Sequence, residues 1–528
     1  MMLNLSLSHA KKRSGILNLS KTIAFILILI FLLTACSKSE ILGETKKEAK
    51  FSREVAGLGE AKSSQAIELN DNKIFNLEAK PIAKKINGVK IRMYGYDGQI
   101  PGPLLKVKQG STIYINFTNN LDIETTVHWH GIRLENKFDG VPDVTQNPVK
   151  PGGSFLYKLY FPDEGVYWYH PHIREDLQQE LGLYGNIFVE PADGNYFDKA
   201  DKEVFLFLDD IKMAKEDVDV FSNNFARFAL MGRFGNVMLA NGETDYKLNV
   251  DKGDIVRFYI TNSANTRTFN FSIEKHRVKL IGGDSGKFEK EELVDSIVLA
   301  VAERYIIEVL FDKAGIFKIR HTTPDEAYTL GTVLVSDNNK NQNLNFNSLK
   351  ENQEIKSVID KYRKYFDKAP DYEIGLTVDM ASMQGMEHNM MSIDSNEKIE
   401  WEEDMTAMNA MTTSKNTKWI LKDKKTGKEN MDVNYQVKIG DIKKIRLFND
   451  PKSMHPMQHP IHLHGQRFLV LSEDGKNKEN LAWKDTVLVP KGSTVDLLVE
   501  FTNPGKWMMH CHIAEHLEAG MMSMFTVT

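Results

Sequence analysis

Short runs of alternating apolar and polar residues, separated by turn residues, dominate the chain after about residue 66. Three examples are Ser111–Phe117, Asp254–Ile260 and Thr494–Phe501, which are rich in β-branched and aromatic side chains. Alternation of period two with this composition predicts strands that bury one face. Many short strands broken by Gly, Pro, Asn and Asp are typical of β-sandwiches, so we expect an all-β protein.

A local phrase recurs three times and predicts a repeated domain. Each copy is a turn ending in Gly, or Gly-Asp, followed by a strand ending in Asn, and the copies begin at Val107, Val250 and Val437. We therefore place three domains at residues 67–192, 200–337 and 371–528, with a linker at 338–370 in which Ile355–Phe366 is predicted to be helical. A length of 528 residues agrees with three domains of about 100–200 residues.

Composition excludes one class of partner. Hydrophobic residues make up 41% of the chain and charged residues 26%, and the formal net charge is −5. Nucleic-acid binding normally requires a basic surface, so we expect no nucleic-acid partner. A chain of this length buries a core that needs no disulfides, and the two cysteines, Cys36 and Cys511, each have a local explanation.

The first 36 residues have the pattern of an export signal. A basic stretch that includes Lys11 and Lys21 precedes the apolar run Ile23–Leu33. This run is shorter than the ~20 residues of a membrane span but suits the core of a signal peptide. Leu33–Cys36 resembles a bacterial lipoprotein cleavage box, which implies that Cys36 is acylated and becomes the new N-terminus.

An uncleaved anchor helix is the alternative to a lipoprotein signal. Both interpretations place the rest of the chain outside the cytoplasm, in the periplasm or at the cell surface. In the lipoprotein interpretation, the lipid on Cys36 is the protein's only link to the membrane. Residues 37–66 are rich in Lys, Glu and Ser and are predicted to be a flexible tether.

Ten of the fifteen histidines lie in four short segments. The segments are His128-Trp129-His130-Gly131, His170-Pro171-His172, His459–His464 and His510–His516. Residues i and i+2 of a strand point to the same face, so each His-X-His directs two imidazoles at one place. In the last segment His510 and His512 face one way and Cys511 faces the other, so one strand can join two metal centres.

The ligand types favour copper. A cysteine with two histidines and a weak axial methionine is typical of a blue-copper electron-transfer site, and His459, Cys511, His516 and Met521 supply this set. Eight further histidines without a carboxylate favour copper over magnesium, calcium or manganese. A structural zinc site closes with four ligands, and these segments offer far more. The alternative of ordinary core histidines does not account for four such segments.

These segments resemble the motifs of the three-domain multicopper oxidases, a family that includes laccases, ferroxidases and bacterial copper-efflux oxidases. The resemblance covers about residues 70–528. It implies three cupredoxin-like Greek-key β-sandwiches and four copper ions, with a three-copper cluster between the first and third domains. It also implies a middle domain that serves as a spacer.

The resemblance assigns copper ligands by position. The type 1 copper would be held by His459, Cys511, His516 and Met521, and the type 2 copper by His128 and His462. The two type 3 coppers would be held by His130, His170 and His512, and by His172, His464 and His510. The implied activity is one-electron oxidation of a small substrate coupled to reduction of O2 to water.

Reduction of oxygen also consumes protons, and carboxylates are natural donors. Asp139 matches the position of an acid with this role in the family. Many bacterial members carry a glutamate directly after the last type 1 histidine, where this chain has Leu517. Glu515 and Glu518 are candidates to replace it.

A methionine-rich insert at residues 380–411 points to the reductant. It holds eight of the 22 methionines: Met380, Met383, Met386, Met390, Met391, Met405, Met408 and Met411. Thioether sulfur suits Cu(I), and the insert resembles that of the periplasmic cuprous oxidases. Met383, Met386, Met457 and His455 are therefore candidate ligands of a substrate copper, although His455 stands where those enzymes have an aspartate.

Several alternatives stay open. The methionines can instead fill irregular gaps in the core or cap a hydrophobic substrate cleft. The substrate can be a phenol, another small organic molecule or Fe(II) rather than Cu(I) destined for detoxification. A copper-sequestering lipoprotein without turnover is a hypothesis of another class, and a two-domain copper nitrite reductase is disfavoured by the length and by the four segments. We expect a monomer.

Overall fold

The structure, a computed structural model, describes residues 52–338, 346–380 and 397–528. Within these ranges the chain folds into three successive β-sandwiches, and the predicted all-β class is confirmed. The predicted signal at residues 1–36, the tether up to residue 51 and residues 381–396 of the insert lie outside the described residues.

The first sandwich is built from nine strands. They are β1 Ala66–Leu69, β2 Ile74–Ile86, β3 Val89–Tyr96, β4 Leu104–Lys108, β5 Thr112–Asn119, β6 His128–His130, β7 Ser154–Tyr160, β8 Gly165–His170 and β9 Gly185–Glu190. The sheet orders are β1-β4-β9-β8-β6 and β3-β2-β5-β7. Burial alternates along the whole of β5, as its sequence predicts, because one face lies in the core.

The second sandwich follows the same plan. Its strands are β10 Lys202–Ile211, β11 Met213–Ala214, β12 Asp217–Val218, β13 Val237–Ala240, β14 Tyr246–Asp251, β15 Ile255–Asn262, β16 Phe269–Ile273, β17 Val278–Gly283, β18 Gly286–Val294, β19 Ile297–Leu299, β20 Arg304–Leu310, β21 Gly315–Thr322 and β22 Ala327–Ser336. The main sheet orders are β13-β10-β15-β20-β17-β18 and β14-β22-β21-β16-β19, and β11 pairs with β12.

Strand β15 differs from its prediction. Its sequence predicts one buried face, but all eight of its residues are buried. The first sandwich covers the other face, where Tyr259 packs with Val166 and Phe188. Contact between the first and second sandwiches therefore buries the face of β15 that the alternating pattern predicts to be exposed to solvent.

The third sandwich carries the last two histidine segments. Its strands are β23 Tyr372–Asp379, β24 Lys418–Asp423, β25 Asn434–Val437, β26 Ile442–Asn449, β27 His459–Leu463, β28 Phe468–Glu473, β29 Lys476–Asn477, β30 Thr486–Val489, β31 Thr494–Glu500, β32 Gly505–Cys511 and β33 Met522–Val527. The sheet orders are β24-β23-β26-β31-β28-β29 and β25-β33-β32-β27-β30.

The repeated phrase marks the same turn in each sandwich. It carries the chain from β4 to β5, from β14 to β15 and from β25 to β26, each time crossing from one sheet to the other. Gly110, Gly253 and Gly440 occupy these turns with φ of 84°, 97° and 85°. Glycine adopts positive φ without a Cβ clash, which explains its recurrence there. The recurring sequence pattern therefore corresponds to the same structural turn in all three sandwiches.

The helices among the described residues are short and lie in the connections. They are Glu175–Gln178, Gln353–Ile359, Thr406–Met411 and Ala514–Glu518, with 3-10 turns at Asn136–Phe138, Asp360–Tyr365 and Asn430–Asp432. The helix predicted in the linker is thus present as a helix followed by a 3-10 turn, and Ile359 packs on Leu469 and Trp483 of the third sandwich. Within the described ranges, no helix has both the length and the apolar character needed to cross a membrane.

The predicted tether, 37–66, runs too far at its C-terminal end. The Ala61 N–H donates to the Ala83 carbonyl at 2.8 Å, and the Lys62 N–H donates to the Gly98 carbonyl at 2.9 Å. Ala83 lies in the half of β2 that β5 does not pair, so its backbone groups are free to bond this segment. The folded body therefore begins before residue 67.

Candidate metal centres

Four strands bring eight histidines together between the first and third sandwiches. In the pairing of β6 with β8, His128 lies opposite His170, and in the pairing of β27 with β32, His462 lies opposite His510. Strand alternation places the next-but-one histidine of a segment on the same face. All eight rings are buried: His128, His130, His170, His172, His462, His464, His510 and His512.

The eight rings form one continuous cluster, since the shortest centroid distances are 3.7 Å between His130 and His462 and 4.0 Å between His128 and His464. The two triads that the resemblance assigns lie within this cluster. In one triad the ring centroids lie 5.0 to 5.7 Å apart: His130, His170 and His512. In a second triad they lie 5.0 to 5.3 Å apart: His172, His464 and His510. The remaining two rings, His128 and His462, are 5.8 Å apart. Eight imidazoles this close together offer more ligands than one metal ion takes, so they form a site for several metal ions.

In His128 and His462 one ring nitrogen is hydrogen-bonded and the other has no partner among the described residues. Nδ1 of His128 lies 2.7 Å from the carbonyl oxygen of Asp139, and Nδ1 of His462 lies 2.9 Å from that of Asp485. The Nε2 atoms of both rings are buried and have no partner among the described residues. Metal-binding imidazoles commonly donate one N–H to a carbonyl and offer the other nitrogen to the metal. The side chains therefore fit a metal site.

A second contact supports the same fit. Nε2 of His464 lies 2.9 Å from Nε2 of His510, while the Nδ1 atoms of these rings bond Asp139 Oδ2 and the Cys511 carbonyl. With both Nδ1 atoms protonated, two lone pairs face each other in a buried site. A shared metal ion satisfies both, whereas leaving them unpaired is unfavourable.

Burial keeps these rings neutral. It lowers the pKa of His130, His170, His172, His462 and His464 well below the ordinary value, and neighbouring imidazoles lower it further. A neutral imidazole carries the lone pair that a metal ion requires.

A separate site lies on the other face of β32. Cys511 Sγ is 3.5 Å from Nδ1 of His459 and 3.7 Å from Nδ1 of His516. Met521 is fully buried in the same core cluster, and Cys511 is a free, buried thiol. Burial raises the pKa of the thiol, so a bound cation is needed to hold it as a thiolate. One cysteine, two imidazoles and a nearby thioether suit copper.

The middle sandwich covers this second site. Nε2 of His516 lies 3.2 Å from the carbonyl oxygen of Leu230, and the indole N–H of Trp419 donates to the carbonyl of Ala229 at 2.7 Å. Trp419 also stacks on His516 with ring centroids 4.0 Å apart. The middle sandwich therefore does more than separate its neighbours, contrary to the expectation of a spacer. These contacts could not be predicted from the sequence, because two of the groups are backbone carbonyls and Trp419 lies far along the chain from His516.

Of the three predicted acids, Asp139 lies against the histidines. Its Oδ2 is 2.9 Å from Nδ1 of His464, and the side chain is fully buried. Glu515 instead accepts hydrogen bonds from Asn265 and Thr266 of the middle sandwich. Burial, together with the nearby charge of Asp176, raises the pKa of Glu515 to about 7 and that of Glu518 to about 8.

Sequence reasoning missed two other carboxylates. Glu175 is fully buried with Oε1 3.4 Å from Nδ1 of His172. Asp485 lies with Oδ1 3.0 Å from Nε2 of His130. Glu175 follows His172 by three residues and was within reach of a spacing argument, whereas Asp485 is 355 residues from His130 and was not.

The candidate ligands of a substrate copper are partly described. Met457 is fully buried and His455 is 8% exposed, and burial lowers the pKa of His455 to about 4. Met383 and Met386 lie outside the described residues.

Comparisons with known proteins agree with this geometry. Three family models, each described as multicopper oxidase, match residues 79–194, 207–342 and 380–528. A multicopper oxidase from Staphylococcus aureus is 27% identical over 82% of this chain and 83% of its own length. A solved multi-copper oxidase from Pseudomonas thermotolerans is 25% identical with a TM-score of 0.64, over 88% of this chain and 100% of that one.

A second solved structure supports the fold. A laccase-like multi-copper oxidase, CueO, from Ochrobactrum sp. is 22% identical with a TM-score of 0.69, over 89% of this chain and 100% of that one. The predicted cupredoxin-like sandwiches are confirmed.

Proposed function

The chain belongs to the multicopper oxidase family, and on that premise we propose that it oxidises Cu(I) to Cu(II) and passes the electrons to molecular oxygen. Four Cu(I) ions, one O2 and four protons give four Cu(II) ions and two water molecules. The observation that carries the choice of Cu(I) is the group of methionines packed around the Cys511 site.

We propose four resident coppers, with ligands assigned by position in the family. The type 1 ion takes His459, Cys511, His516 and Met521, the type 2 ion takes His128 and His462, and the type 3 pair takes the two triads described above. When bound, these ions supply the one-electron and multi-electron redox chemistry that protein side chains lack.

The protein's own residues position and connect these sites. Cys511, the last residue of β32, lies between His510 and His512 in the chain, so a few covalent bonds join the thiol to an imidazole of each triad. Asp139 holds the outer nitrogens of His464 and His128 through its carboxylate and its carbonyl. It is the predicted acid nearest the histidines, and we assign it the role of holding a proton there.

Methionine sulfur is concentrated near the Cys511 site. Met380 and Met457 are fully buried in the core cluster that contains Cys511, and Met405 and Met408 pack against that cluster while staying partly exposed. Partly exposed thioethers next to an electron-transfer centre suit a soft monovalent cation such as Cu(I).

The burial of the type 1 histidines argues against direct contact with a phenol. His459 and His516 are both fully buried, and the outer nitrogen of His516 is capped by the Leu230 carbonyl. An aromatic ring cannot touch either imidazole in this arrangement. A metal ion bound at neighbouring Met and His side chains, such as His455, needs only an electron path through them.

Replacing sulfur by carbon tests the proposal. Met457→Leu and Met405→Leu keep apolar volume and remove the thioether, which usually costs less than about 1.5 kcal/mol in stability. We expect kcat/KM for Cu(I) to fall at least tenfold, with phenol turnover changed less than twofold. Met238→Leu, at a half-buried position that packs against the core of the middle sandwich, is the matched control and should leave both activities unchanged.

The outcome also separates the alternatives. Equal loss of Cu(I) and phenol oxidation in the variants would favour a laccase-like oxidase whose copper sites the substitutions disturb. Turnover of Fe(II) that exceeds that of Cu(I) would favour a ferroxidase. If Cu(I) is bound without oxygen uptake, the protein sequesters copper and the proposed oxidase activity is wrong.

We further propose that the protein works outside the cytoplasm as a monomer, held by a lipid on Cys36. The signal pattern at residues 1–36 supports this location. Mass spectrometry of the membrane-extracted protein tests it, since an unmodified N-terminus upstream of Cys36 contradicts acylation.

A further inference from the structure

Arg304, at the start of β20 in the middle sandwich, touches all three sandwiches. It is fully buried. Its Nε donates to the carbonyl of Val166 in the first sandwich at 2.9 Å, and its Nη1 donates to Asp485 Oδ1 in the third at 2.7 Å. Nη2 donates to the other carboxylate oxygen, so the guanidinium and Asp485 form a bidentate ion pair. Paired planar groups of this kind fix orientation as well as charge.

Asp485 connects this arginine to histidines of two sandwiches. The same Oδ1 lies 3.0 Å from Nε2 of His130, and the backbone carbonyl lies 2.9 Å from Nδ1 of His462. The two rings stack with centroids 3.7 Å apart. One residue therefore contacts the outer nitrogens of a proposed type 3 ligand and of a proposed type 2 ligand.

The middle sandwich also holds the backbone of this segment. Asp284 Oδ2 accepts the N–H of Asp485 at 3.2 Å, and Asp284 Oδ1 accepts the N–H of Arg304 at 2.8 Å. Gly131, which follows His130, leaves the space that the pair occupies, because a Cβ there would overlap Asp485.

We propose that Arg304 is a positioning residue for the three-copper cluster, acting through Asp485 on His130 and His462. The inference rests on the proposed copper assignment but not on the identity of the reductant. Residues behind metal ligands set ring orientation, and their loss commonly weakens metal affinity 10- to 100-fold. Here the supporting arginine belongs to the middle sandwich, which contributes no histidine to the cluster.

The chemistry of the pair predicts what each substitution does. Arg304→Met leaves Asp485 buried without its cation and removes the two bonds that fix the orientation of its carboxylate. Arg304→Lys keeps the charge but cannot supply the planar fork together with the bond to Val166. Both changes release the orientation of His130 and His462, and Lys releases it less.

Three readouts test the proposal on the copper-loaded and the metal-free protein. Chelator competition measures copper affinity, electron paramagnetic resonance separates type 2 from type 1 copper, and the blue absorption of the Cys511 site reports folding of the third sandwich. We expect type 2 affinity to fall at least tenfold in Arg304→Lys and further in Arg304→Met. The type 2 spectrum should change while the blue band is retained.

Arg257→Lys is the matched control. Arg257 and Glu308 form a buried pair within the middle sandwich, with Nη2 2.6 Å from Oε1. We expect this control to lower the stability of the metal-free protein without changing the type 2 signal. The proposal is overturned if both Arg304 variants keep type 2 affinity within twofold of wild type and lose stability only as Arg257→Lys does. Failure of the Cu(I) hypothesis would show instead as a wild type that has these spectra but does not oxidise Cu(I).

Discussion

Gly131→Ala is a sharp test of the packing behind His130. Gly131 has a φ of 85°, and a Cβ added to it would overlap Asp485 Oδ2, with Arg304 Nη2 at 2.9 Å and Tyr167 Cδ1 at 3.0 Å. Neither the ion pair nor the ring can move freely, since all three side chains are buried. The substitution therefore adds backbone strain and a collision.

A matched glycine separates the two effects. Gly110 lies in the same sandwich with a φ of 84°, and a Cβ there meets nothing within 4 Å. Gly110→Ala should cost only the left-handed strain of about 1–2 kcal/mol. Gly131→Ala should cost that amount plus about 1–3 kcal/mol for overpacking. The difference between the variants measures the collision alone.

Urea unfolding of the metal-free proteins gives the stabilities, and copper titration followed by paramagnetic resonance gives the site. We expect Gly131→Ala to be the less stable variant by at least about 1 kcal/mol and the only one with an altered type 2 signal. Equal stability loss in both variants, with normal type 2 copper in each, would refute the reasoning.

Three further predictions address other parts of the molecule. Cys511→Ser should abolish the blue colour while the protein still binds copper at the eight-histidine cluster, and a variant that stays blue contradicts the type 1 assignment. His321 has its pKa lowered to about 3 by burial and by Arg267, below the unfolded value of 6.5. The neutral ring stabilises the folded state fully above pH 6.5, and this stabilisation is lost as the pH falls towards 3, by up to roughly 1.4 kcal/mol per pH unit. His321→Gln should therefore reduce the change in the free energy of unfolding between pH 6.5 and pH 3. Asn409 is fully buried and bonds the backbone of Met231 and Gly232, so Asn409→Ala should cost about 1–3 kcal/mol in an unfolding experiment, and an unchanged midpoint would show that these bonds contribute nothing.

The parts of the fold that follow from local rules were predictable. Period-two alternation identified β5, and the repeated turn at Gly110 identified the repeated unit, because strand geometry and positive φ leave marks within a few residues. The two-faced strand around Cys511 was predictable for the same reason, since neighbouring residues of a strand point in opposite directions. The structure places His510 and His512 with the cluster and Cys511 with His459, as alternation requires.

Contacts that join distant segments were not predictable from the same rules. Burial of both faces of β15 depends on the first sandwich, which a pattern read along one strand does not include. The end of the predicted tether was misplaced because Ala61 pairs with a strand edge that charge and composition do not reveal. Residues such as Asp485 carry no periodic signal, and only the fold brings them to the histidines.

The middle sandwich shows that a domain without metal ligands can still support the metal sites of its neighbours. It has no copper motif, yet its Leu230 carbonyl caps His516 and its Arg304 holds Asp485 against His130. A carbonyl cap is independent of the side chain that carries it, so no residue type marks the position. The sequence around Arg304 also gives no sign of its role, because its partner Asp485 is 181 residues away and only the fold brings the two together. A chain that joined the first and third sandwiches directly would keep every proposed copper ligand and lose both supports, and we expect it to bind copper more weakly for that reason.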